Sequence, residues 1–115
     1  MKRYFLKILP LLLTLSASAL AMPGIPGGPA IYPANCAAFH GAKGEGGIGP
    51  KLAGDSANWS AAIFQRAMLK GLNDHGAAFK APMPTYGKVG FAGAPHVAPT
   101  PAQMKALQAY LKTLK

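Results

Sequence analysis

The chain has 115 residues, twelve basic against three acidic, a formal charge of +9, fourteen glycines, eleven prolines and one cysteine. One small domain is all that this length accommodates. A single cysteine rules out an internal disulfide, and lysines scattered without a basic-aromatic stripe argue against nucleic acid as the partner.

The first stretch has the pattern of a secretory signal. Lys2, Arg3 and Lys7 flank an apolar run through Ile8 to Leu13, and Ala19-Leu20-Ala21 supplies small-x-small cleavage chemistry. Residues 1–21 are therefore expected to be removed near Ala21, with delivery to the periplasm. The apolar run falls short of the roughly 20 residues of a membrane span, so no permanent anchor is expected after cleavage. Lys2, Arg3 and Lys7 leave with the signal, while Glu45, Asp55 and Asp74 stay. The mature protein remains basic, which suits docking onto an acidic partner surface.

Residues 22–27 are rich in proline and glycine and read as a flexible lead-in, so the folded domain is expected over 28–115. A first helix is expected to begin near Pro29 or Pro33. Two prolines four apart make it short or kinked, because an interior proline costs about 3 kcal/mol. Next comes Asn35-Cys36-Ala37-Ala38-Phe39-His40-Gly41. Residues i and i+4 share a helix face, so the thiol of Cys36 and the imidazole of His40 are expected to project the same way.

Gly41 to Gly54 holds six glycines in fourteen positions. It is expected to be a tight loop passing close to something. Its ending lacks the Gly-Lys-Ser/Thr of a phosphate cradle. Asp55 or Ser56 can cap a second helix running to about Lys70, stopped by Gly71, with Trp59, Ile63, Phe64 and Ala67 as its apolar face. Residues 72–99 read as long and mostly irregular, which favours a ligand-wrapping segment. Thr100-Pro101-Ala102-Gln103 is a capping box with proline at the first helical position. Met104, Leu107, Leu111 and Leu114 then share one face, beside Tyr110. No strand alternation or hairpin dipeptide appears, so the expected fold is mainly α, three or more helices around one cofactor.

The C-x-x-C-H signature of covalent haem attachment has the Cys36–His40 spacing: two thiols bond the haem vinyl groups and the histidine ligates iron. Phe39 stands where the second thiol would be. Further matches are Tyr32-Pro33-Ala34-Asn35-Cys36, the run from His40 to Gly54 containing Ile48-Gly49-Pro50-Lys51-Leu52, the segment Ala81-Pro82-Met83-Pro84-Thr85-Tyr86 and the tyrosine-bearing last helix. In order and spacing these resemble a small bacterial class I cytochrome c over residues 28–115.

The resemblance implies an exported monohaem electron carrier or electron-transfer subunit, not an enzyme. Its cofactor would be one haem c, held by a single thioether at Cys36, with Phe39 packing at the position of the missing cysteine. His40 and Met83 would be the axial iron ligands. Pro50 would accept a hydrogen bond from the ligand imidazole, and Gly28 with Tyr32 would let the first and last helices cross closely. Loss of the second cysteine also admits a haem-free pseudo-cytochrome with a docking or structural role. His75 and His96 compete with Met83 for the iron, but His75 lies in a polar turn and His96 among prolines. Cysteine, histidine and methionine are blue-copper ligands too, yet that site calls for a second histidine and a strand sandwich.

Overall fold

A computed structural model describes residues 27–114. The expected signal over 1–21, its cleavage point and all but the last residue of the lead-in lie outside that range. Within it are five helices: α1 (Gly28–Asn35), α2 (Ala37–His40), α3 (Ala61–Lys70), α4 (Tyr86–Val89) and α5 (Pro101–Lys112). Among the described residues no strand forms, only an isolated bridge between Leu72 and Ala78. No described helix is long and apolar enough to cross a membrane. The fold is mainly α, as the sequence implied.

α1 opens directly on Gly28 with proline in its first turn, where the missing N–H costs nothing. Pro33 sits inside it, and regular helix lapses at Cys36 (φ −123°, ψ −35°). The lapse is shallow. Cys36 N still donates to Tyr32 O at 2.8 Å and His40 N to Cys36 O at 3.0 Å, so helical register carries through from α1 to α2.

α1 packs across α5, α3 packs on α5, and all three contribute to one core. At the α1–α5 crossing a Cβ on Gly28 would collide with Ala106 O and the Cβ of Tyr110. The backbones can approach this closely only with glycine there. One turn on, the rings of Tyr32 and Tyr110 stack tilted at 44° with centroids 5.8 Å apart. Below them Ile31, Met104, Leu107 and Leu111 are almost wholly buried. Each such side chain contributes about 1.5–3 kcal/mol by leaving water. Leu114, expected on the same stripe, is half-buried at its end.

The capping box of α5 forms as its sequence dictates: Gln103 N donates to Thr100 Oγ1 at 3.1 Å and Thr100 N to Gln103 Oε1 at 2.9 Å. The start of α3 is a correction. Ser60, not Asp55 or Ser56, is the cap, its Oγ accepting from Ile63 N at 3.2 Å. Ser56–Asn58 is instead a single 3-10 turn, and Trp59 after it is extended. The reason lies in α5, where the buried Gln108 donates from Nε2 to Trp59 O at 2.7 Å and to Ala57 O at 3.3 Å. Those bonds tie the Ala57 and Trp59 carbonyls to α5 ahead of the helix. The buried face of α3 is Phe64, Ala67 and Met68, with Ile63 only half-buried and Trp59 outside the helix. Gly71 ends α3 in the left-handed conformation (φ 69°), its N–H returning to Ala67 O. Residues 72–99 are largely irregular as expected, except that they contain α4.

Candidate functional site

The helices enclose a cavity of about 580 Å³, within the range of pockets that envelop a small-molecule cofactor. Cys36, Phe39 and His40 line it from the α1–α2 side, and Ile48 to Leu52 from the glycine-rich loop. Trp59, Phe64 and Met68 close it toward α3, and Leu107 and Leu111 form its floor on α5. The segment from Phe79 to Pro84 runs along the remaining wall and brings Met83 to the cavity. The five residues that the resemblance assigns to the cofactor, Cys36, Phe39, His40, Pro50 and Met83, therefore border one space.

His40 is buried, 6% exposed. Its Nδ1 lies 2.7 Å from Pro50 O. A carbonyl oxygen only accepts, so Nδ1 carries the proton and Nε2 is the nitrogen with a lone pair to give. The loop reaches the ring because residue 49 has no side chain: a Cβ on Gly49 would stand 2.8 Å from His40 Cε1 and 3.0 Å from Nδ1. The loop is fastened to α2 at that point and before it, with Gly49 N donating to Phe39 O at 2.7 Å and Gly46 N to His40 O at 2.8 Å. Tyr32 adds a tie from α1, its hydroxyl donating to Gly41 O.

Cys36 is buried in apolar surroundings, and that burial pushes its thiol pKa up to about 12. The group is held neutral, unlike the thiolates that act as nucleophiles. Phe39 is 38% exposed and stands at the cavity edge beside Ile48, 77% exposed. Met83 is half-buried, and a turn bond from its N–H to Lys80 O at 3.1 Å shapes the backbone around it. His75 and His96 do not border the cavity. His75 is exposed, with Nε2 3.8 Å from an Asp74 oxygen, and His96 is exposed at a positive φ of 64°.

Two contributors are not marked by the motif spacings. Tyr86 borders the cavity, and its hydroxyl donates to Asn35 O at 2.7 Å. Asn35, also on the wall, accepts from Ala92 N at 2.8 Å through Oδ1. Tyr86 stood inside the Ala81–Tyr86 segment already quoted, and the aromatic following Pro-Met-Pro was the available signal. Nothing local points to the role of Asn35, whose bonds to Tyr86 and Ala92 cross more than fifty positions of the chain.

These residues fit a haem. The cavity is apolar, one imidazole nitrogen is free on a braced ring whose place the bare Gly49 leaves open, and a thiol and a thioether share the walls. Neither curated proteins nor solved structures give a match to this chain. A family model does: cytochrome c, over residues 27–115. With that match added to the helical cavity, the chain belongs to the cytochrome c family, whose cofactor is haem c and whose general work is to carry electrons to redox partner proteins.

Proposed function

We propose that this chain is an exported, periplasmic monohaem electron carrier or electron-transfer subunit whose haem is held by a single thioether at Cys36. The observation that carries the reading is the His40 imidazole, braced through Nδ1 by Pro50 at 2.7 Å on the wall of a cavity that also holds Cys36 and Met83. When bound, haem supplies a one-electron iron couple. His40 and Met83 would hold the iron in this reading, a pairing that favours reduced iron and raises the potential relative to two nitrogen ligands.

Each protein group has a task. Pro50 fixes the tautomer and orientation of His40 and strengthens it as a donor. Cys36 supplies the only thiol in the chain, so one covalent tether is the maximum. Phe39 covers the edge where a second tether would lie. The apolar floor of Leu107 and Leu111 keeps water from the centre. Exposed Lys51 and Lys80 at the rim place positive charge where an electron would cross, matching an acidic docking surface on the partner. The work of the chain in this reading is electron transfer, not the transformation of a substrate. Removal of residues 1–21 near Ala21 would leave the lead-in over 22–27 and the domain over 28–115.

The test is export of wild type and Cys36→Ala from a host that matures c-type cytochromes, followed by haem staining on a denaturing gel. Stain on the wild-type chain and none on Cys36→Ala is the expected result. Stain that persists on Cys36→Ala overturns the attachment site.

A further inference from the structure

Phe39 N donates to Cys36 O at 3.2 Å rather than to Asn35 O, the acceptor that an unbroken helix would use. The lapse of helix at Cys36 therefore leaves the Asn35 carbonyl open, and the Tyr86 hydroxyl takes it at 2.7 Å. A second bond joins the same two regions, from Ala92 N to Asn35 Oδ1 at 2.8 Å. The Asn35 amide is itself held, its Nδ2 donating to Ile31 O at 2.9 Å. Burial raises the Tyr86 pKa, so the hydroxyl remains a donor at ordinary pH.

α4 is confined from its other side as well. A Cβ on Gly87 would collide with Leu69 O at the end of α3, and one on Gly71 would stand 2.8 Å from Thr85 Oγ1. Farther back, Phe79 N donates to Gly71 O at 2.9 Å. Residues 79–86 thus form a strap anchored at both ends, with Met83 between the anchors on the cavity wall. Its far anchor is the residue immediately before Cys36.

We propose that Tyr86 is a positioning residue for Met83, its bond to the Asn35 carbonyl holding the strap so that the thioether stays closed on the iron. This rests on the reading of Met83 as an iron ligand. The consequence is a link between the two sides of the cofactor, since the backbone that presents the attachment cysteine also sets the closure of the opposite ligand. A single hydrogen bond of ordinary net strength shifts a closed–open equilibrium by about fivefold.

The experiment uses haem-loaded protein and titrates the ferric form with imidazole, following the visible spectrum. Tyr86→Phe deletes the hydroxyl and keeps the ring, which packs on Phe91 with centroids 5.1 Å apart. Imidazole affinity is expected to rise about fivefold, with a lower reduction potential and unchanged haem content. Asn35→Ala, which frees Ala92 from the same junction, is expected to move both readouts in the same direction. Met83→Ala should raise the affinity further, and adding Tyr86→Phe to Met83→Ala should change nothing more. The proposal is overturned if Met83→Ala opens the iron while Tyr86→Phe and Asn35→Ala leave affinity unchanged, or if Tyr86→Phe acts equally with and without Met83. An unchanged affinity in Met83→Ala overturns the ligand assignment itself and the proposal with it.

Discussion

The Nδ1 of His40 and the carbonyl oxygen of Pro50 lie 2.7 Å apart, and the residue between that proline and the rest of the loop is a glycine whose missing Cβ is the space the imidazole ring occupies. Gly49→Ala sets a methyl against Cε1 and Nδ1 of a buried ring, which must shift from its bond to Pro50 to make room. Overpacking of this kind costs about 1–3 kcal/mol, or on the order of 5–15 °C in melting temperature for a domain of this size. Thermal melts of haem-loaded protein should show that loss together with a shifted reduction potential, since the ring is displaced. A melt and potential equal to wild type would mean that the loop does not brace His40.

The crossing of α1 and α5 carries a second prediction. A Cβ on Gly28 would meet the Ala106 carbonyl, which belongs to helix backbone and cannot rotate aside as a side chain can. Gly28→Ala must therefore push the helices apart and loosen the Tyr32–Tyr110 stack. Urea unfolding should show a loss of roughly 2 kcal/mol or more, whereas Gly54→Ala, with open space around that position, should lose only the left-handed backbone preference.

What could be read from the sequence was local. The capping box at Thr100 and Gln103, the Gly71 terminator and the Cys36–His40 register depend on neighbours three to five positions away, and the residues carry their own instructions. The start of α3 did not follow from local preference, because a glutamine on α5 captures the Ala57 and Trp59 carbonyls and so delays the helix to Ser60. The same holds at the site. Cys36, His40, Pro50 and Met83 stand in recognisable strings, whereas the Tyr86–Asn35 bond joins residues that only the finished fold brings together. A periodicity argument sees that Leu107 and Leu111 face inward but is blind to a polar Gln108 buried beside them.

Phe39→Cys restores a complete C-x-x-C-H string from Cys36 to His40. Phe39 is 38% exposed and borders the cavity, so the substitution removes little core packing. A second thioether chiefly restricts the unfolded state, in the manner of other covalent cross-links. The variant is expected to retain haem better and melt at a higher temperature with the same iron ligation, read by visible spectrum and thermal scan. Haem in the variant but none in wild type would favour the haem-free role for the natural protein.

Alkaline pH should weaken the fold. Burial, with a smaller contribution from Cys36, raises Tyr32 to about 12, and burial likewise raises Tyr86. Below about pH 10 both folded and unfolded chains keep their phenolic protons and the full stability is present. As pH rises from about 10 to 12 the unfolded chain releases protons that the folded chain retains, so stability falls across that window. Urea midpoints at a series of pH values should decline above about pH 10, with a shallower decline in Tyr86→Phe. Midpoints that stay level to pH 12 would show that neither hydroxyl is shielded.

The central claim, one haem joined through one sulfur, is tested most directly by intact mass on wild-type protein purified from the periplasm of a host with cytochrome c maturation, paired with its pyridine haemochrome spectrum. The expected product is a chain lacking residues 1–21 that carries the mass of one haem, with no thiol available to alkylation in denaturant and a haemochrome band characteristic of a single saturated vinyl group. A mass equal to the bare polypeptide, with Cys36 free to alkylate, would contradict it.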